Sequence, residues 1–378
     1  MSDPSVPPQP ATSPSATSPS GDQPDAMRLS RRYVTRLSAA VALIVLTCVA
    51  LLVPVPYVTM KPGPAFDTLG DFDGTPMFTF GKGVKTYPTD GTLDFTTVSV
   101  TNSQARLRFG DVVRAYFSDD VAVVPRSLLY PEGTTQEQSQ AESAAQLDSS
   151  KDASKVAALR AAGYTVDGVP QVATVSPDGA AKGVLRKGDL VLAVDGTKVA
   201  SASATVEAVG DREPGDDVAI TIERKGKRST VDITTRPDAA DPSLPRIGVG
   251  LGTKYDYPIS IDNNVGRQIG GPSAGTMFAL AIYDKLTPGA LTGGLKIAGT
   301  GEITAEGVVG PIGGVQQKIA GAHAVGAKIF LVPKANCAEA VDGDTHGLKL
   351  VEITTLKDAI SSVKALAEDR SAKVPTCR

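Results

Sequence analysis

The sequence is organised around one segment, which begins Gly270-Gly271-Pro272-Ser273-Ala274-Gly275 and ends Pro311-Ile312-Gly313-Gly314-Val315-Gln316-Gln317-Lys318. Gly271 and Gly275 allow the backbone around Ser273 to turn tightly and to be approached closely. The apolar run after Gly275 predicts a helix with Ser273 at its N-terminus. Amides there have no partner within the helix, so those near Ser273, Ala274 and Gly275 can stabilise the oxyanion formed when a hydroxyl attacks an acyl group.

The second end of this segment offers a base for that hydroxyl. A serine is a weak nucleophile unless a base lies within hydrogen-bond reach. The chain has only two histidines, His323 and His346, so Lys318 is the natural alternative. Apolar residues around Lys318 have helical spacing, which predicts a half-buried helix. Burial would lower the pKa of Lys318 from its usual value of about 10.4, and only the uncharged amine can accept a proton.

Three motifs occur in order: Gly271 to Gly275, Thr300-Gly301-Glu302-Ile303, and Pro311 to Lys318. Together they resemble the proteolytic domain of the Lon-type serine-lysine peptidases. The resemblance implies that Ser273 is the nucleophile, Lys318 its general base and Thr300 a hydrogen-bond partner near the lysine. Since Lon-type domains commonly form rings, it also implies a hexamer. Many Lon proteases have Asp where this chain has Gly270, so any role of that Asp is not carried over.

No ATP-binding motif accompanies these residues. The nearest resemblance to a P-loop, Gly81-Lys82, is followed by Gly83 rather than Ser or Thr. The chain therefore resembles membrane-anchored, PDZ-containing Lon-like proteases without an ATPase domain, and we expect its activity to be independent of ATP.

Length and composition exclude several other classes. A chain of 378 residues can hold two or three domains. Its 38 basic and 41 acidic residues give no electrostatic case for nucleic acid. Its 3 cysteines are too few for a disulfide scaffold or a convincing metal site, and we expect no cofactor or metal.

The N-terminal region predicts a membrane anchor. Residues 1–36 are expected to form a disordered cytoplasmic tail, because the first 27 have almost no large apolar side chain. Residues 37–56 are uncharged and predict one transmembrane helix. The exit Val53-Pro54-Val55-Pro56-Tyr57 lacks a small-x-small site, which argues against the alternative of a cleaved signal peptide. Arginines before the helix predict an N-terminus in the cytoplasm and all later domains outside the cell membrane: Arg28, Arg31, Arg32 and Arg36.

The remainder predicts an α+β protein with an inserted domain. Residues 58–135 contain β-branched strands and form the first part of the protease domain, and residues 136–164 predict a solvated helical connector. Residues 245–378 form the Lon-type proteolytic core.

Residues 165–237 contain the strand Gly188 to Gly196, which ends in an Asp-Gly hairpin turn, followed by a further hairpin. This pattern resembles a PDZ domain, a small β-barrel or sandwich with helices, which binds an extended peptide at a sheet edge. The carboxylate-binding loop of such domains has no clear signature here; Gly168 and Val169 lie at about its expected position.

Cys337 and Cys377 both follow the anchor and would lie on the outer side, where disulfides persist. We expect them to pair and to close a loop of about 40 residues.

Two other functions fit parts of the sequence. Gly271 to Gly275 is also a G-x-S-x-G, the nucleophile elbow of α/β-hydrolases, with Asp342 or Asp344 and then His346 completing a triad. The elbow must follow a buried strand, however, and residues 263–268 are polar. Alternatively the chain is a non-catalytic membrane scaffold in which Ser273 caps a helix and Lys318 is a surface cation. The three motifs together favour a membrane-anchored serine endopeptidase that cleaves extracytoplasmic or membrane-tethered proteins presented by its PDZ domain.

Overall fold

The structure is a computed structural model that describes residues 30–102, 104–118, 120–131, 133–266 and 268–378. Its helices are α1 (Arg31–Leu52), α2 (Phe109–Tyr116), α3 (Arg126–Leu129), α4 (Gln136–Ala161), α5 (Ala202–Gly210), α6 (Gly275–Leu286), α7 (Val315–Ala324), α8 (Cys337–Asp342) and α9 (Leu356–Glu368). Its strands are β1 (Tyr57–Asp67), β2 (Asp71–Phe72), β3 (Thr75–Pro76), β4 (Phe78–Phe80), β5 (Thr92–Val100), β6 (Ala122–Pro125), β7 (Asp167–Val175), β8 (Leu190–Val194), β9 (Thr197–Lys198), β10 (Asp217–Arg224), β11 (Lys227–Thr234), β12 (Arg236–Pro237), β13 (Pro245–Arg246), β14 (Val249–Asp256), β15 (Ile261–Asn263), β16 (Lys296–Gly299), β17 (Glu302–Ile303), β18 (Val309–Gly310), β19 (Ile329–Pro333) and β20 (Lys349–Ile353).

Helix α1 is long and apolar enough to cross a membrane, and it contributes no buried residue. It begins six residues earlier than the predicted span of 37–56, because the Ser30 hydroxyl accepts a hydrogen bond from the Tyr33 amide and caps it. It ends at Leu52, since Val53 is extended and Pro54 cannot continue a helix. The predicted tail of residues 1–36 was therefore drawn too long at its end, and residues 1–29 of it lie outside the described residues.

Residues 54–378 form a separate compact unit that contains the whole hydrophobic core. One of its two six-stranded sheets, which we call the large sheet because it packs against the main core, has the strand order β20-β19-β16-β5-β1-β6. In it β16 is parallel to β5 and β19, and β1 is antiparallel to β5 and β6. Ile297 and Leu331 face a core formed with α4, α6 and α9, whereas Ala298 and Phe330 face a second core with α7 and α8. The alternation follows from the two-residue period of a strand. The predicted α+β fold is confirmed.

The inserted domain extends further along the chain than predicted. Its sheet has the order β11-β10-β8-β7-β14, so β14, which we assigned to the core of residues 245–378, belongs with the insert of residues 165–237. The whole of β14 runs antiparallel to β7, from Val249 opposite Val175 to Asp256 opposite Asp167. Val249 and Leu251 pack on the insert's core. The insert is thus completed by a strand that follows the linker.

Helix α4 is not the solvated connector that its composition predicts. Leu147, Val156 and Leu159 are buried in the main core beside α6. Two small polar residues, Ser150 and Ser154, are buried on the same helix, and their size lets α4 approach α6 closely. The predicted connector of residues 136–164 therefore packs into the main core.

Cys337 and Cys377 form a disulfide with an S–S distance of 1.98 Å and a sequence separation of 40 residues. A bridge across such a loop removes unfolded-state entropy worth about 4 kcal/mol. We expect Cys377→Ser to lower the free energy of urea unfolding of residues 54–378 by about this amount, and reductant to lower wild type equally without changing the variant further. Equal stability of oxidised and reduced wild type would contradict the expectation.

Candidate active site

Ser273 lies in a turn that leads into α6 and is half-exposed. Gly271 has φ 84°, a conformation that strains any residue with a Cβ. A Cβ on Gly275 would lie 2.5 Å from Ser150 Oγ and 2.8 Å from Ile303 Cγ2, so only glycine fits there. Pro272 precedes the helix by three residues and lies outside its first turn. Buried Ala274 is the residue that immediately precedes α6.

Lys318 projects from α7 and is 2% exposed, the most buried cationic side chain in the described residues. The preceding Gly314 has φ 70°, which lets the chain turn sharply before the helix begins at Val315. Because α7 packs on one face of the large sheet and α6 on the other, Lys318 and Ser273 approach each other from opposite sides. They meet beside Thr300, just beyond the end of β16.

The lysine amine is surrounded by oxygen atoms. Its Nζ lies 2.7 Å from Ser273 Oγ, 3.0 Å from Thr300 Oγ1 and 3.2 Å from the backbone oxygen of Thr96. Ser273 and Lys318 are 45 positions apart in the sequence, and the fold brings them into direct hydrogen-bond contact.

The directions of these hydrogen bonds follow from Thr300. Its hydroxyl donates to the backbone oxygen of Ser273 at 3.0 Å, so it must accept a hydrogen bond from Lys318. The Thr96 oxygen can only accept a second one. A neutral amine has two hydrogens, and both are then used. Its lone pair is left to face Ser273 Oγ and can accept the proton of that hydroxyl.

Burial lowers the pKa of Lys318 to about 7. The cause is desolvation, which disfavours the charged ammonium. At neutral pH a large fraction of the amine is therefore uncharged and able to act as a base.

The turn before α6 is held by hydrogen bonds that leave two amides for an oxyanion. The Gly275 amide donates to Pro272 O and the Thr276 amide to Gly301 O, so the predicted contribution of Gly275 is not available. Among the described residues, no backbone carbonyl accepts from the amides of Ser273 and Ala274. These two remain beside the hydroxyl.

Thr96 and Ser150 contribute to the site although sequence reasoning missed both. Thr96 acts through its backbone oxygen, which has no signature in a sequence. Ser150 Oγ donates to Pro272 O at 2.8 Å and supports the turn. Its spacing of four residues from Ser154 within a helical segment was a signal that could have indicated a small-residue packing face.

His346 does not take part in this arrangement. Its Nε2 lies 3.1 Å from Asp120 Oδ1, its Nδ1 lies 3.5 Å from Asp344 Oδ2, and its ring stacks on His323. The residues directly before Ser273 form no strand. The structure therefore lacks the two features that a nucleophile elbow with a histidine base requires. In the described part of the chain, no three His, Cys, Asp or Glu residues cluster as metal ligands.

The insert has a groove of about 580 Å³ between α5 and β14. Thr205, Val206 and Val209 line it from the helix, and the segment from Ile247 to Leu251 lines it from the other side. Gly168 and Val169 instead lie in β7, opposite Tyr255 and Lys254 of β14, and do not line the groove. Two strands form the edges of this sheet, β11 at one end of its order and β14 at the other, and β14 is the one beside the groove.

A half-exposed serine hydroxyl, a buried amine of lowered pKa and two free amides are the parts of a serine hydrolase site with a lysine base. Residues 266–365 match the Lon protease (S16) C-terminal proteolytic domain, and residues 146–235 match the PDZ domain. The chain thus contains a Lon-type proteolytic domain and a PDZ domain.

Known proteins are similar to parts of the chain. Lon protease 1 of Thermus thermophilus is 36% identical over 117 residues, which are 31% of this chain and 14% of that protein. Lon protease 2 of Bacillus subtilis is 33% identical over 108 residues, 29% of this chain and 19% of that protein. The chain thus spans less than a fifth of either relative. The solved PDZ domain of the SdrC-like protein of Listeria monocytogenes is 32% identical and covers 23% of this chain and 90% of that structure, with a TM-score of 0.21.

Proposed function

We propose that this protein is an ATP-independent, membrane-anchored serine endopeptidase whose catalytic groups are Ser273 and Lys318. The observation that carries the proposal is the 2.7 Å contact between Ser273 Oγ and a lysine amine whose pKa is lowered to about 7. In the scaffold alternative Lys318 is a surface cation and Ser273 caps a helix. Neither role requires a buried amine or a contact between the two side chains.

In the first half of the reaction, Ser273 Oγ attacks a peptide carbonyl while its proton passes to neutral Lys318. The amides of Ser273 and Ala274 stabilise the oxyanion. Lys318 then gives the proton to the leaving amine, the C–N bond breaks, and an acyl-enzyme remains. In the second half, water attacks the acyl group, Lys318 takes the water proton and returns it to Ser273. Thr300 and the Thr96 carbonyl hold the amine in the orientation that both halves need.

The proposed location is the cell membrane, with α1 as a single-pass anchor. The arginines before the apolar run favour a cytoplasmic N-terminus. The PDZ and protease domains would then be extracytoplasmic, which agrees with a disulfide between Cys337 and Cys377. The substrates would be extracytoplasmic or membrane-tethered proteins with unfolded segments, since no unfolding motor is part of the proposal.

The PDZ groove is the proposed entrance for substrate. An extended peptide could add to the free edge of β14 and place side chains against α5. Residues 257–272 connect β14 to Ser273, so the strand that would receive the peptide is close in sequence to the nucleophile.

The test is labelling of full-length protein with an active-site-directed peptide phosphonate, followed by identification of the modified residue by mass spectrometry. We expect a single adduct on Ser273. The labelling rate should fall about tenfold for each pH unit below 7, because the fraction of neutral Lys318 falls by that factor. The Ser273→Ala protein, treated in the same way, is the control for nonspecific reaction. Absence of an adduct would favour the scaffold alternative, and a rate lost with His346→Ala would favour the hydrolase alternative.

A further inference from the structure

A group of mostly exposed side chains surrounds the residues that follow α1. We call it the exit patch, and it consists of Tyr57, Arg106, Arg108, Phe109, Arg126 and Leu128. Leu128 is 71% exposed and Phe109 is 45% exposed, and both lie in the chain segments that carry the patch arginines. The peptidase proposal assigns no role to this surface.

Backbone hydrogen bonds fix the patch to residues 54–57. The Val55 amide donates to Leu107 O at 2.9 Å, between Arg106 and Arg108 in the sequence. The Arg126 amide donates to Pro56 O at 3.0 Å, and Tyr57 is paired with Pro125 in the sheet. The three chain segments that carry the patch therefore move as one unit with the residues after α1.

Covalent geometry brings this unit close to the bilayer if α1 is the anchor, so the inference rests on the anchoring proposed above. Helix α1 ends at Leu52, and the two further residues to Pro54 span at most about 7 Å. The polar headgroup layer on each side of a bilayer is about 5–8 Å thick. If α1 is the anchor, Pro54 therefore lies within the headgroup layer, and the patch is hydrogen-bonded to the residues that follow it.

The chemistry of the patch suits that layer. Tyrosine and phenylalanine are favoured at membrane interfaces, where apolar side chains reach the acyl boundary. Arginine guanidinium groups bind phosphate oxygens through paired hydrogen bonds. The carboxylate of Asp111 accepts from the Arg108 amide, which places this negative charge beside the patch but leaves the Arg108 guanidinium exposed. Of these arginines, Arg126 also donates to Ala105 O, which fixes its stem.

We propose that the exit patch is a second membrane contact, with Phe109 and Leu128 inserted at the boundary between headgroups and acyl chains and the arginines bound to lipid phosphates. Helix α1 alone would leave residues 54–378 free to tilt about a short connection. The patch would fix their orientation on the outer leaflet.

The chain contains no tryptophan, so a single introduced tryptophan reports on one position. The experiment uses full-length Leu128→Trp in nanodiscs of phosphatidylcholine and phosphatidylglycerol, with and without bromine on the acyl chains. We expect blue-shifted emission that brominated lipids largely quench. The matched control is Val308→Trp, at a residue that is 50% exposed and pairs with Thr355 after β20, at the opposite edge of the large sheet. Its emission should not respond to bromine.

Each other outcome has a definite meaning. Unquenched emission from Leu128→Trp in nanodiscs that hold the protein would overturn the patch and leave the anchor intact. Failure of the protein to co-purify with nanodiscs would overturn the anchor and this inference with it. A blue shift that grows with protein concentration and is not quenched by brominated lipids would show that a second copy of the chain covers the patch. That result would also overturn the proposed lipid contact. Phe109→Trp, a ring-for-ring change, repeats the test if Leu128→Trp disturbs α3.

Discussion

Replacing Lys318 by methionine is expected to abolish peptide hydrolysis while making the protein more stable. Methionine has a similar length but no lone pair on nitrogen, so Ser273 loses the group that accepts its proton. A general base of this kind contributes up to about 10⁴-fold, and kcat/KM should fall by about that factor. The measurement is initial-rate hydrolysis of an unstructured fluorogenic peptide by wild type and variant.

The gain in stability follows from the same burial that makes Lys318 a base. The unfolded state holds a proton on this amine up to pH about 10.5, whereas the folded state holds it only up to about 7. Between these two pH values the unfolded state binds more protons than the folded state, so the free energy of unfolding of wild type rises with pH. Below pH 7 both states are protonated, and the folded state carries the full cost of burying the charged amine. A fall in pKa from 10.5 to about 7 corresponds to about 5 kcal/mol.

The methionine variant also loses the two hydrogen bonds that the amine donates, which reduces the expected gain in stability by about 2 kcal/mol. Lys318→Met should therefore unfold at higher urea than wild type at pH 6, and the difference should shrink by pH 9. Lys328→Met, at an exposed lysine just beyond the end of the same helix, should change neither activity nor this pH dependence. A variant of Lys318 that keeps activity would remove the lysine from the mechanism.

The contact between Ser273 and Lys318 could be predicted from sequence because side-chain chemistry at fixed spacing encodes it. Ser273 between two glycines, and Lys318 after Gly313-Gly314, are patterns with a local backbone reason. Thr300 was predicted near the lysine, and its hydroxyl lies 3.0 Å from the amine. What the sequence could not give was the direction of each hydrogen bond, which depends on the Thr96 carbonyl and the Ser273 carbonyl.

The domain boundary after the PDZ insert could not be predicted for a different reason. A strand pattern such as Val249 to Asp256 indicates a strand but not its partner, because pairing is non-local. The Pro and Asp linker of residues 238–245 marked a break in composition, yet the chain returns after it to complete the insert's sheet. Helix α4 was misjudged because Ser150 and Ser154 are buried beside Leu147, Val156 and Leu159, so the polar composition of the helix understates its buried face.

Replacing Ser273 by alanine is the second change with a large expected effect. It removes one oxygen atom and one hydrogen bond from a half-exposed side chain, so the free energy of unfolding should fall by no more than about 1.5 kcal/mol. Hydrolysis should nevertheless fall by about 10⁴-fold or more, because the one other hydroxyl that contacts the Lys318 amine within the described residues, Thr300, donates its proton to the Ser273 carbonyl. Ser260→Ala, at an exposed serine in the same unit, is the matched control.

The Ser273→Ala variant also separates a peptidase from a scaffold in cells. The groove between α5 and β14 is untouched by the change, so a protein that acts only by binding would leave the outer-surface proteome as in wild type. A peptidase would instead let its substrates accumulate, because they still bind and are no longer cut. Substrates are then the proteins that accumulate with Ser273→Ala and with Lys318→Met, but not with Ser260→Ala. Ser273→Ala and Lys318→Met both lose proton transfer but differ in stability, so a shared effect reports on the lost reaction.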